Sequence, residues 1–162
     1  MRDATDADLP RIVGIYNSTV PTRLATADTE PVSVESRRPW FLAHTPGRHP
    51  ILVHEDAGEI LGWVSFQPFY GRPAYDRTAE ISIYLAPEAR GKGLGKRLLR
   101  EAMDLTPELG IKTLLGFIFS HNGPSMRLFR GFGFEDWAKL PDIAEMDGRE
   151  YSLSILGLRL RP

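Results

Sequence analysis

The residues with the clearest chemical potential lie in one run, Ala79 to Leu99, reading AEISIYLAPEARGKGLGKRLL. Within it, Arg90-Gly91-Lys92-Gly93-Leu94-Gly95 stands between a strand pattern stopped by Pro87 and the start of an amphipathic helix pattern. Three alternating glycines let the backbone turn tightly and present N–H groups without a Cβ in the way. The first-turn amides of a helix have no intrahelical partner, and its dipole is positive at that end, so an anion is favoured there. Arg90, Lys92, Lys96 and Arg97 bring further positive charge to the same point. A pyrophosphate-bearing ligand fits this chemistry; the plainer counterpart is a glycine turn with a solvated basic rim.

The spacing G-x-G-x-G differs from the G-x-G-x-x-G of dinucleotide folds, and the chain has no G-x-x-x-x-G-K-[ST] loop, so NAD and ATP readings fall away. The four histidines, His44, His49, His54 and His121, show no H-x-x-x-H spacing, and there is no G-x-S-x-G elbow. No metal site is expected.

The elements that must position this run are legible from periodicity. Thr78 to Ala86 alternates, with Ala79, Ile81, Ile83 and Leu85 on one face and Glu80, Ser82 and Tyr84 on the other. Leu94, Leu98, Ala102 and Leu105 mark the helix that follows the glycine turn. Upstream, Leu9, Ile12, Val13 and Tyr16 define a first helix after Thr5-Asp6-Ala7-Asp8, and Val34 to Ala43 a second. Ile51-Leu52-Val53 and Ile60 to Phe69 read as strands around the Asp56-Ala57-Gly58 turn. Lys112 to Phe119 is another strand, and Asn122 caps a short helix that ends at Gly131. Phe132 to Ala138 and Tyr151 to Leu160 close the chain as strands, with Met146-Asp147-Gly148 as a turn between them. This order predicts an α/β (α+β) fold with a mixed central sheet flanked by helices.

The chain has 162 residues, 20 Lys+Arg against 21 Asp+Glu, 42% hydrophobic and 25% charged residues, the composition of one folded domain spanning 1–162. Its near-neutral balance argues against a nucleic-acid binder, and no apolar run approaches the ~20 residues of a membrane span. The absence of cysteine excludes thiol nucleophiles and Cys-ligated zinc, and fits a cytoplasmic setting.

The motif [RQ]-x-x-G-x-[GA] after a strand, met here by Arg90 to Gly95, resembles the acetyl-CoA signature of the GNAT N-acetyltransferases. Asn122, Ser125, Leu128, Gly133 and Phe134 match the downstream N-x-x-S-x-x-L…G-F segment of that family. Phe69 to Tyr75 together with Thr78, Ala79, Glu80, Ser82 and Tyr84 looks like its phosphinothricin and methionine sulfoximine acetyltransferase branch, as do Arg2 to Thr5 and Ile15 to Asn17. The resemblance covers essentially the whole chain and implies a mostly antiparallel sheet, acetyl-CoA as co-substrate and a homodimer. It places pantetheine in a splay between the strands Thr78–Ala86 and Lys112–Phe119. Backbone groups near Ile83, Tyr84 and Leu85 would contact it, with pyrophosphate over Arg90, Gly91, Lys92, Gly93, Leu94, Gly95 and Lys96, and with Asn122 and Ser125 beside the cofactor.

Acetyl transfer needs a neutral amine, and the resemblance gives Glu80 the role of base; the bland reading is a strand carboxylate that orders Arg72 or Arg77. Arg72 and Tyr75 are the expected substrate contacts, holding a carboxylate and offering a stacking face. The connection Val20 to Glu30 is expected to share in recognition. Where relatives place a Tyr or His to meet the CoA sulfur, this chain has Phe129. The departure leaves water, the substrate ammonium, Tyr84 or unassisted thiolate departure. The implied activity is acetyl transfer to a small amino-acid-like amine within a ternary complex. A non-catalytic acyl-CoA-binding or sensor domain is the alternative that Phe129 keeps open.

Overall fold

A computed structural model describes residues 1–160. In chain order the elements are β1 (Arg2–Asp3), α1 (Leu9–Asn17), α2 (Val34–Leu42), β2 (Ile51–Asp56), β3 (Glu59–Pro68), β4 (Thr78–Leu85), α3 (Leu94–Leu105), β5 (Thr113–Phe119), α4 (Gly123–Arg130), β6 (Glu135–Met146) and β7 (Arg149–Arg159). Seven strands form one sheet in the order β1-β2-β3-β4-β5-β7-β6. Among the described residues β4 and β5 are the one parallel pair, and every other neighbour is antiparallel. The expected mixed, mostly antiparallel sheet with flanking helices is what forms.

The alternation of β4 sorts its side chains onto two cores. Ala79 and Ile81 pack with Leu98, Leu99 and Ala102 of α3 and with Met126 and Phe129 of α4. Tyr84 packs on the opposite face, with Trp63 and with Ile12, Ile15 and Tyr16 of α1. Leu98 and Leu99 are fully buried, and each such leucine contributes about 1.5–3 kcal/mol relative to exposure. Helices on both faces therefore fix β4 in position.

Two elements differ from the sequence expectation. Arg2–Asp3 adds a short edge strand against Leu52 and Val53, too brief to carry any periodic signal. The penultimate strand runs over Glu135–Met146 instead of Phe132 to Ala138. Phe132, Gly133 and Phe134 form turns that donate back to the end of α4. The strand's register shifts between Asp136 and Ala138 and again between Leu140 and Ala144, so Pro141 and left-handed Asp142 sit outside the ladder. Those two irregularities erase the alternation that sequence reading depends on.

Candidate active site

The sheet opens at its centre. β4 and β5 pair only at Thr78–Thr113, Ala79–Leu114 and Glu80–Leu115, although β4 continues to Leu85 and β5 to Phe119. Beyond Glu80 the facing backbone edges of the two strands have no strand between them. The cleft left there is lined by Ile81, Ser82, Ile83 and Tyr84 from β4 and by Phe117, Ile118 and Phe119 from β5. Asn122, Ser125 and Phe129 close one end, and Leu24 and Ala25 roof it. Phe129 is seated against Gly116, where a Cβ would stand 2.8 Å from the ring, so this glycine is required by close approach. The ring also packs edge-on against Phe134 at 4.9 Å.

At the far end of β4 the glycine turn has the geometry an anion needs. Gly91 and Gly93 have φ of +72° and +85°, which other residues adopt only with strain. Gly93 caps α3 without a side-chain acceptor, leaving the first-turn N–H groups of α3 unpaired by a cap. Lys96, Arg97 and Arg100 line an open groove that runs from Gly93 to Arg127 and Phe132, with the Arg100 guanidinium 5.1 Å over the Phe132 ring. Lys92 is exposed in the turn itself. Arg90 points elsewhere: its Nε donates to the Leu85 carbonyl at 3.1 Å and its Nη2 to Ser18 Oγ at 2.7 Å. It braces the turn against β4 and α1, and it occupies the Leu85 carbonyl. An uncapped helix start, left-handed glycines, exposed basic side chains and a strand-width gap together suit the pyrophosphate and pantetheine parts of acetyl-CoA.

Glu80 stands at the last ladder pair before the strands part. It is half-buried, and its carboxylate has no hydrogen-bond or ion-pair partner among the described residues, so it orders neither Arg72 nor Arg77. Burial pushes its carboxyl above the ordinary 4.5. Tyr84, four residues on, stacks on Trp63 at 4.5 Å and donates its hydroxyl proton to the Ala25 carbonyl at 3.2 Å. Burial holds its phenol well above the usual value, so it is a poor acid. Arg72 and Tyr75 share a recess with Phe69 and Asp76 at the β3–β4 turn, beyond Pro68–Ala79 in the ladder that also pairs Gln67 with Glu80. Arg72 is exposed and without an acidic partner among the described residues. Tyr75 packs edge-on against Phe69 at 5.3 Å.

Asn122 is buried and doubly used: its Oδ1 accepts from the Ser125 amide at 3.2 Å, and its Nδ2 donates to the Leu24 carbonyl at 3.0 Å. It therefore caps α4 and holds the roof of the cleft. The Ser125 side chain lines the cleft and is half-buried. Sequence reading missed His121, whose Nε2 donates to the Arg23 carbonyl at 2.7 Å, because a histidine bonded to backbone carries no motif. Among the described residues no group of three or more His, Asp or Glu side chains is placed to hold a metal ion.

Residues 12–134 match the Acetyltransferase (GNAT) family. The chain is 51% identical over 160 residues to YwnH of Bacillus subtilis, a protein named as a candidate phosphinothricin acetyltransferase, covering 99% of this chain and 98% of that one. It is 37% identical over 166 residues to an L-methionine sulfoximine/L-methionine sulfone acetyltransferase of Pseudomonas aeruginosa, covering 100% of this chain and 95% of the relative. A GNAT-superfamily phosphinothricin acetyltransferase from Sinorhizobium meliloti, solved in complex with acetyl-CoA, superposes with a TM-score of 0.91 at 34% identity, covering 98% of this chain and 86% of that one.

Proposed function

Because the chain belongs to the GNAT acetyltransferase family, we propose that it transfers the acetyl group of acetyl-CoA to the amine of a small amino-acid-like acceptor of the phosphinothricin or methionine sulfoximine type. The observation that carries this reading is Glu80: an unpaired, half-buried carboxylate at the fork where β4 and β5 part. Acetyl-CoA, when bound, supplies an acetyl group activated as a thioester. Lys92, Lys96 and the first-turn amides of α3 would hold its pyrophosphate, while the free inner edge of β4 at Ile83 and Tyr84, with Ser125 opposite, would hold the pantetheine arm.

Glu80 does the proton work. An α-amino group has a reference pKa of ~8, so its neutral, nucleophilic form lies only about 1–1.5 kcal/mol away at pH 7. A positioned carboxylate, directly or through one water, takes the proton and is more basic for being partly buried. As the N–C bond forms, the C–S bond breaks and the sulfur leaves as thiolate; Phe129 has no proton to give and the Tyr84 proton is engaged by Ala25. Arg72, free of acidic partners, is suited to the acceptor's carboxylate, and Tyr75 to its side chain. The sensor reading is not favoured, since a sensor has no use for a basic carboxylate left unpaired at the fork.

In this reading residues 1–162 work as one domain, in the cytoplasm where acetyl-CoA is supplied, and as a homodimer. Exposed Trp137 and Ile143 on the last hairpin support a partner surface, which light scattering would check. The decisive assay follows thiol release from acetyl-CoA across amino acids, methionine sulfoximine, methionine sulfone, phosphinothricin and simple amines. Turnover with carboxylate-bearing amines above their decarboxylated counterparts is expected; no release with any of them would refute the reading.

A further inference from the structure

The connection between α1 and α2 crosses the cleft as a strap, and three consecutive carbonyls on it are held by side chains from separate places. The Arg23 carbonyl accepts from His121, the Leu24 carbonyl from Asn122 and the Ala25 carbonyl from Tyr84. These bonds fix the strap's inner edge to β4 and to the β5–α4 turn. On the outer side the Arg23 guanidinium reaches the tip of the β6–β7 hairpin. Its Nε and Nη2 donate to the two carboxylate oxygens of Asp147 at 2.8 and 3.1 Å. Its Nη1 donates to the carbonyls of Thr29 at 2.8 Å and Val20 at 3.2 Å, so the guanidinium also folds the strap around itself.

Asp147 is a firm post. It and Gly148 both have positive φ, +53° and +72°, the backbone of a two-residue hairpin turn whose twist matches its strands. Beneath the strap, Tyr151 and Phe119 lie on the same face of the sheet as Glu80, by the pairing of Glu80 with Leu115 and of Phe119 with Leu153. The His121 ring packs on Tyr151 at 4.5 Å, joining strap, β5–α4 turn and hairpin. The sheet face that carries Glu80 thus continues along β5 toward the hairpin, whose tip holds the Arg23–Asp147 pair. Phe119 is four residues beyond Leu115, about 13 Å along the strand. A single amino acid held at Glu80 ends well short of that distance, whereas an extended peptide of four residues reaches it.

We propose that the bidentate Arg23–Asp147 pair is a latch that closes the outer end of the acceptor groove, and that it confines acetylation to small amines by excluding polypeptide N-termini. The inference rests on the reading that the acceptor amine lies beside Glu80. Asp147 touches neither cleft nor cofactor turn, so its role is in positioning the strap.

The test compares kcat/KM for an amino acid and for a tetrapeptide with the same first residue, in the wild type, in Asp147→Ala and in Asp147→Asn, which keeps an acceptor oxygen for Arg23 and tolerates the left-handed turn. Asp147→Ala leaves the Arg23 bonds to Val20 and Thr29 in place and so preserves the strap's own fold. The wild type is expected to favour the amino acid strongly. Asp147→Ala should raise the peptide-to-amino-acid ratio at least about tenfold, mainly through KM for the peptide, and Asp147→Asn should stay closer to the wild-type value. An unchanged ratio, an equal loss on both acceptors or efficient peptide acetylation by the wild type overturns the latch. If no amine serves as acceptor, the functional reading fails separately, and the latch is then decided by hydrogen exchange. Faster exchange of the strap amides in Asp147→Ala supports it, and unchanged exchange overturns it.

Discussion

In the proposed reaction Glu80 would take a proton at neutral pH from an amine that binds it more tightly than an ordinary carboxylate does. Its surroundings answer that mismatch by burial alone: no cation, hydroxyl or amide among the described residues stabilises its charged form. A carboxylate placed in a salt bridge would have been pulled the other way, as Asp8 is, held down to about 2 chiefly by its hydrogen bonds with Arg2. Glu80→Gln is therefore expected to lower kcat about 100-fold at pH 7 while leaving acetyl-CoA affinity unchanged. The deficit should shrink above pH ~8, where the acceptor loses its proton to water unaided. In the wild type the acid limb due to Glu80 should lie above the ordinary carboxylate value of 4.5 and vanish in the variant. A deficit that stays constant from pH 6 to 10 would identify a structural role for Glu80 instead.

At the scale of elements, the site is made by what each one leaves unfinished: β4 and β5 stop pairing, and α3 begins without a cap. Gly93→Ala tests the second of these. Holding alanine at φ near +85° costs about 1–2 kcal/mol, and any relaxation turns the first-turn amides of α3 away from their common focus. The expected result is acetyl-CoA binding weaker by about five- to tenfold by calorimetry, with KM for the acceptor unchanged. The glycine turn, the β4 alternation and the glutamate were legible in sequence because each is local: a spacing or a period of two. What was not legible is non-local or negative. Nothing in the run Thr22 to Ala25 signals that three carbonyls will be met by Tyr84, His121 and Asn122. Arg90, part of the motif, is spent on Ser18 and the Leu85 carbonyl, a use that follows from α1 packing beside the turn. The extent of β6 was lost to its own register shifts.

Across the whole molecule, the sheet keeps two separate cores, and the one beneath α1 and α2 contains a titratable seam. His44 donates from Nδ1 to the Trp40 carbonyl at 2.7 Å and packs edge-on against Trp40 at 4.8 Å. The Nε2 atoms of His44 and His49 are both buried without a hydrogen-bond partner. Burial lowers both histidines below 6.5; at His44 the bond to the Trp40 carbonyl opposes while the charges of His49 and Arg37 add, and at His49 Arg48 adds while Asp76 opposes. Their folded-state values lie below the unfolded one, so the unfolded chain binds more protons as pH falls through 6.5, and stability falls with it. Above pH 6.5 both states are neutral at these positions and the contribution is flat. The paired carboxylates act in a different window: Asp8 is lowered from 3.8 to about 2, so its contribution is lost only at strongly acid pH. Thermal unfolding should therefore show a constant Tm from pH 8 to 6.5 and a decline between 6.5 and 5 that acidic groups do not explain. A loss of about 1 kcal/mol corresponds to roughly 2–4 °C in a chain of this size. His44→Phe, which keeps an aromatic ring against Trp40 while removing the more deeply buried imidazole, should flatten most of that decline. A Tm that falls equally in the variant would move the proton uptake away from this seam.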